Sequence, residues 1–160
     1  MSPSKIPDST KKNNGFLTLI LWFTLAILLR WQVVEPRWIP SGSMLPTLEV
    51  QDKILVEKIS PKINRILNHN ESRESIVVFK PPKALIDAGF DAKSALIKRI
   101  IGIPGDQIQV KEGSLIINGI EKKEKWLKSP IKYSIQQFEV PEHTYWVLGD
   151  NRNNLSLIHI

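Results

Sequence analysis

The sequence predicts a mainly β protein: an antiparallel sheet or barrel-like domain behind one N-terminal transmembrane helix. Three observations lead there. A single uncharged apolar stretch near the amino terminus has the length of a bilayer crossing. The rest of the 160-residue chain is divided into short β-rich runs by glycine, proline and asparagine. It also lacks the regular alternation of strands with amphipathic helical patterns that a parallel α/β sheet requires.

Residues 1–15 are polar, with Lys5, Lys11 and Lys12 against the single acid Asp8. Phe16–Leu29 follows without a charge and with only two threonines, Thr18 and Thr24. Arg30 interrupts it, and Trp31, Val33 and Val34 continue the apolar character. Residues 16–34 therefore form a run about as long as a helix needs to cross a bilayer. Arg30 can snorkel to the headgroups, and Trp31 suits the interface. A cleaved leader would need a small-x-small site after the apolar core, and Arg30-Trp31-Gln32-Val33-Val34-Glu35-Pro36 offers none. A buried core helix would show a polar face. The reading is an uncleaved single-pass anchor. The lysines before it point to a cytoplasmic amino terminus with residues 35–160 on the outer side, although Arg30 and Arg37 weigh the other flank.

Beyond Pro40 the β-rich runs are 53–56, 75–79, 95–101, 108–110, 114–117 and 144–148. Pro81-Pro82 stops the second, and Gly102 with Pro104-Gly105-Asp106 ends the third. Lys111-Glu112-Gly113 and Asn118-Gly119 read as hairpin turns. Residues 61–73 and 82–94 are less regular, with a short helix expected around 84–88. Glu121-Lys122-Lys123-Glu124-Lys125 alternates in sign and reads as an exposed loop or helical turn.

The chain has no cysteine, which excludes disulfides, thiolate zinc sites and a cysteine nucleophile. Its net charge of +6 is spread along the chain and accompanies no RNA-binding aromatic signature or zinc-finger spacing, so no nucleic-acid partner is expected.

The chemistry concentrates in Pro40-Ser41-Gly42-Ser43-Met44-Leu45-Pro46-Thr47. A serine hydroxyl needs a base before it becomes a nucleophile. His69, His143 and His159 sit in no recognisable catalytic context, and no Gly-x-Ser-x-Gly elbow is present. His69 and His143 read as surface residues. A lysine acts as a base only when neutral, and burial among apolar groups lowers its pKa. Ala95-Leu96-Ile97-Lys98-Arg99-Ile100-Ile101 offers that setting, with Leu96, Lys98 and Ile100 on one strand face and Arg99 on the other. The strand pattern alone leaves another reading open: a Lys98-Arg99 pair on an edge strand, reaching into water.

Taken together, Ser-Gly-Ser-Met-Leu-Pro-Thr (41–47), Lys-Arg-Ile-Ile-Gly-Ile-Pro-Gly-Asp (98–106) and Gly-Asp-Asn-Arg (149–152), behind one apolar segment, resemble the type I signal peptidases. These are membrane-anchored serine proteases with a Ser/Lys dyad. The resemblance runs from about Trp38 to Asn154. It implies that Ser43 is the nucleophile and Lys98 its general base, with the Ser43 N–H and Ser41 hydroxyl as oxyanion donors. It implies that Ile39, Pro40 and Ile97 line pockets for small side chains, and that Asp150 and Arg152 support the site. The expected partners are signal-peptide-bearing precursors and the lipid bilayer, with no metal or cofactor. Gly42 gives the backbone freedom to turn both serines toward one point. Ile39 and Ile97 also suit plain core packing.

Two departures from the family pattern stand out. Arg73-Glu74-Ser75 occupies the place of a common Arg-Gly-Asp, so a changed turn is expected. Leu155-Ser156-Leu157-Ile158-His159-Ile160 replaces the usual continuation. Leu155 stands where a serine helps orient the lysine, and Leu157 stands where an aspartate is usual. A truncated or altered carboxyl terminus, with strand partners lost near the site, is the expectation. An alternative function follows from it: a catalytically impaired, membrane-anchored peptide-binding homologue.

Overall fold

A computed structural model describes residues 15–67 and 69–154, with the backbone of 158–159. The polar tail before Gly15 and the side chains of the altered segment from Leu155 onward lie outside the described residues.

Helix α1 spans Gly15–Val33. It passes directly into β1 (Val34–Trp38), because adjacent β-branched valines weaken the helix and Pro36 cannot continue it. Phe16, Leu17, Leu19, Leu21, Trp22 and Phe23 are each more than 60% exposed. The side chains of Leu29 and Trp31 are not among those described. Among the described residues, no helix is long and apolar enough to cross a membrane.

The remainder is antiparallel β structure, as the sequence predicts. β1 pairs with β2 (Lys53–Glu57) in a two-stranded ribbon. Helix α2 (Ser60–Ile66) starts with Pro61 in its first turn, where a missing N–H costs nothing. It occupies part of the region expected to be irregular. β3 (Ile76–Phe79), α3 (Lys83–Asp87) and β4 (Leu96–Gly102) follow. Next come β5 (Gln107–Lys111), β6 (Ser114–Ile117), β7 (Ile120–Lys122), β8 (Ile135–Glu139), β9 (Trp146–Leu148) and β10 (Ile158–His159). One four-stranded sheet has the order β10-β9-β4-β3, and the other β7-β6-β5-β8.

The two tight hairpins form where glycine permits them. Glu112 and Gly113, and Asn118 and Gly119, all have positive φ, which suits the right-handed twist of the flanking strands. β7 takes up the first part of the alternating-charge stretch expected to be loop or helical turn, and its residues remain exposed.

The main core joins Ile101 of β4, Ile108 and Val110 of β5, Leu115 and Ile117 of β6, and Trp146 and Leu148 of β9, with Ile131 and Val140. Each such side chain contributes about 1.5–3 kcal/mol by leaving water. A smaller cluster of Ile39, Met44 and Ile97 anchors the serine turn to the start of β4. β4 lies inside its sheet between β3 and β9. That placement rules out the edge-strand reading of Lys98-Arg99. Both side chains are buried, at 3% and 8% exposure.

Candidate active site

Gly42–Met44 forms one 3-10 turn, entered from an extended Ser41 at φ −145 and ψ 155. Met44 is buried against Ile39 and Ile97, which fixes the turn. Ser43 is held between that anchor and β4. Lys98 Nζ lies 2.8 Å from Ser43 Oγ and donates to it. None of the described carboxylates forms an ion pair with Lys98, which is buried. Burial lowers its pKa from the ordinary lysine value, because charge is disfavoured away from water. The Ser41 hydroxyl donates to Ser43 Oγ at 3.2 Å. Two serine hydroxyls and one lysine amine thus converge on a single point.

Gly149-Asp150-Asn151-Arg152 braces this turn from behind. Asn151 N–H donates to the Ser43 carbonyl at 3.0 Å, and Asn151 Nδ2 donates to the Gly42 carbonyl at 3.3 Å. Gly149 approaches so closely that a Cβ there would sit 2.3 Å from the Ser43 carbonyl oxygen. Arg99, on the opposite face of β4 from Lys98, forks onto Asp150 at 2.8 and 2.6 Å. Its third nitrogen donates to the Glu74 carbonyl at 2.7 Å. Thr47, beyond the serine turn, donates to the same Asp150 carboxylate at 2.5 Å. Asp150 therefore joins the strand of Lys98 to the loop of Ser43. The Trp126 ring lies 4.1 Å from the Arg99 guanidinium carbon, a cation–π contact made in a desolvated setting.

Arg152 acts one layer further out. Its Nε donates to the Gly149 carbonyl at 3.1 Å, and its two terminal nitrogens grip the Glu124 carboxylate. Burial pushes the Glu124 carboxyl above its usual range, and Arg152 offsets only part of that.

The residues singled out from the sequence largely meet. Ser41, Ser43 and Lys98 converge directly, and Asp150 and Arg152 lie behind them. Pro40 and Ile97 line a groove of about 450 Å³. Ile39 does not line it and packs in the core at 2% exposure, the other use its position allowed. His69 and His143 are exposed. Arg99, Thr47, Glu124, Trp126 and Asn151 were not selected. Asn151 and Thr47 sit inside the quoted motifs, so a search for donors near the serines could have found them. The contact between Trp126, in a turn after β7, and Arg99 of β4 joins segments far apart in the chain and leaves no local signal.

The turn at Arg73-Glu74-Ser75 holds a further finding. Glu74 has φ 68, the left-handed region that glycine enters freely and other residues at a cost. Its N–H donates to the Ile100 carbonyl at 2.8 Å and its carbonyl accepts from Arg99, so the turn keeps a glycine-like conformation despite its side chain.

No cluster of three or more metal-ligating side chains occurs among the described residues. The arrangement places a serine hydroxyl beside a buried lysine amine. The family model described as "Signal peptidase, peptidase S26" matches residues 13–156, and the chain belongs to that family. It is 40% identical over 163 residues to the probable signal peptidase I-1 of Synechocystis sp., covering 100% of this chain and 80% of that protein. It is 44% identical over 140 residues to the signal peptidase I of Leptolyngbya laminosa, covering 88% and 66% respectively. A crystal structure of a signal peptidase I from Enterococcus faecalis V583 aligns at 26% identity with a TM-score of 0.45, over 55% of this chain and 83% of that one.

Proposed function

We propose that this chain is a membrane-anchored serine endopeptidase that removes signal peptides from exported precursors, with Ser43 as nucleophile and Lys98 as general base. The observation that carries the reading is the 2.8 Å contact between Lys98 Nζ and Ser43 Oγ in a setting that favours the neutral amine.

In the proposed reaction, neutral Lys98 takes the Ser43 proton as Oγ bonds to the scissile carbonyl carbon. The carbonyl oxygen becomes an oxyanion, stabilised by the Ser43 N–H and by the Ser41 hydroxyl after it turns from Oγ. Fixed donors of this kind supply much of the rate of acyl transfer. The Lys98 ammonium then returns its proton to the departing amine, which frees the mature protein and leaves the signal peptide as a Ser43 ester. Lys98 next deprotonates a water that attacks the ester. Loss of the serine oxygen, reprotonated by Lys98, restores the enzyme. Asp150, Asn151 and Arg152 position these groups without touching the substrate.

The groove beside Pro40 and Ile97 suits an extended peptide, whose first and third residues before the cut share one face. In this reading residues 16–34 anchor the chain, the amino terminus is cytoplasmic, and residues 35–160 form the catalytic domain outside. Ser43 lies nine residues beyond Val34, so it works within about 30–35 Å of the end of the anchor. A precursor still held by its own apolar segment presents its cut there. The impaired, peptide-binding alternative has no separate observation in its favour.

The test is cleavage of a secretory precursor by the detergent-solubilised chain. Ser43→Ala and Lys98→Ala should each lower kcat/KM by at least about 10³-fold, and His143→Ala should change nothing. Activity within tenfold of the parent in Lys98→Ala would refute the dyad.

A further inference from the structure

Building on that reading, we infer that the groove leading to Ser43 selects substrates by charge, favouring acidic over basic side chains at about the fourth to sixth residues before the scissile bond. The end of the groove nearest the serine turn is lined by Pro40 and Ile97, which carry no charge. Away from the site the lining changes to Glu35, Arg37, Trp38 and Lys93. Both walls reach the dyad from their amino-terminal sides: β1 runs into the serine turn, and the loop at Lys93 runs into β4 and Lys98. Arg37 precedes Ser43 by six residues and Lys93 precedes Lys98 by five. At about 3.3 Å per residue both lie within roughly 16–20 Å of the dyad. An extended substrate lying between the walls brings its fourth to sixth residues into that zone.

The charges there are unbalanced toward the substrate. Among the described residues, Glu35 is the one carboxylate lining the groove, and two cations hold it: Arg37 Nη2 at 2.5 Å and Lys58 Nζ at 3.4 Å. Lys53 adds a third nearby cation, its Nζ 4.6 Å from the centre of the exposed Trp38 ring. Lys93 is a fourth and forms no ion pair with a described carboxylate. Three further acids of these segments are turned onto their own loops. Asp91 accepts from the Lys93 N–H and the Ser94 hydroxyl. Asp52 accepts from the Glu49 N–H, and Glu57 from the Ile59 and Ser60 N–H groups. A precursor carboxylate in the groove therefore finds the Lys93 ammonium and the outer edge of Arg37. A precursor ammonium finds only a carboxylate already shared by two cations.

The experiment uses the full chain in non-ionic detergent and three precursor peptides that differ only in Glu, Gln or Lys at the fifth residue before the cut. The expected order of kcat/KM is Glu, Gln, Lys. The Glu-to-Lys ratio should be about tenfold at roughly 50 mM salt and fall toward about twofold near 500 mM. The double variant Arg37→Glu, Lys93→Glu should reverse the order. Because each variant is judged by its own ratio, a general loss of rate does not obscure the result. Fluorescent versions of the peptides, titrated onto Ser43→Ala, should bind in the same order. Ser43-dependent cleavage with a ratio within twofold at low salt, or an order unchanged in the double variant, overturns the inference alone. Charge-ordered binding without any cleavage overturns the proposed function and leaves the inference standing.

Discussion

Gly149→Ala offers a sharp test of how the site is held. The added Cβ would sit 2.3 Å from the Ser43 carbonyl oxygen, 3.2 Å from its carbonyl carbon and 3.5 Å from its Cβ. The first contact is with backbone, which cannot rotate away as a flexible side chain can. One of the two segments must retreat by at least about 0.7 Å to reach even 3.0 Å. That movement pulls against the Asn151 N–H bond to the same carbonyl, 3.0 Å long. Overpacking of this kind costs about 1–3 kcal/mol and the weakened bond about 1 kcal/mol more. The melting temperature should fall by about 4–16 °C. A displacement approaching 1 Å at the nucleophile costs about 10²-fold in rate. The assay is kcat/KM on a precursor peptide well below the new melting temperature, with thermal unfolding of the same samples. Gly119→Ala serves as a control, since it introduces strain at φ 78 with nothing within 4 Å. It should lose stability without losing rate. Gly149→Ala with melting temperature and kcat/KM both within error of the parent would refute the close-approach argument.

Burial of Lys98 has two pH signatures. Its folded pKa is depressed, so kcat/KM should climb with pH through that value and then level off, and a flat profile would count against Lys98 as the base. In the window between the folded value and the unfolded value near 10.4, the unfolded state binds more protons, so stability rises with pH. Lys98→Met should therefore stabilise the protein at pH 7 while abolishing activity, with the gain shrinking as pH approaches 10. A gain that did not vary with pH would contradict this. Asp150→Ala leaves the Arg99 charge buried without its partner and should cost about 3–5 kcal/mol in urea unfolding; adding Arg99→Met should recover part of it, and a single-variant loss below 1 kcal/mol would show that the pair is not needed. Glu74→Gly relieves a left-handed residue whose side chain is exposed and should raise stability by up to about 1 kcal/mol, with no effect expected on kcat.

The strands were legible where branched residues met clear stops. Ser114–Ile117 matches β6 to the residue, and both expected hairpin turns formed. β8 was missed because Ile135-Gln136-Gln137-Phe138-Glu139 interrupts its apolar alternation with two glutamines. Its stability comes from pairing with β5, a contact made across some thirty residues. α2 was missed because its seven residues, with Pro61 and the turn-favouring Asn64 both inside it, carry too little helical periodicity. Ser43 and Lys98 were legible as a pair only through their motifs. Strand periodicity alone favoured Lys98 as an exposed edge lysine, and the position of β4 between β3 and β9 buries it. The expected loss of strand partners at the altered terminus takes a different form, since the backbone of Ile158–His159 pairs with Val147 and Trp146. The side chains of that segment lie outside the described residues.

The dyad is built from parts far apart in the chain, and that separation sets a delay. Ser43 and Lys98 are 55 residues apart, and the Asn151 brace lies 109 residues beyond Gly42. At about 5–20 residues per second of synthesis, Lys98 follows Ser43 by roughly 3–11 s and the brace follows the turn by roughly 5–22 s. Until both arrive, the serine turn lacks the neighbours that activate and orient it. Under the proposed function, a newborn chain is thus chemically silent until the segments carrying Lys98 and Asn151 have been made.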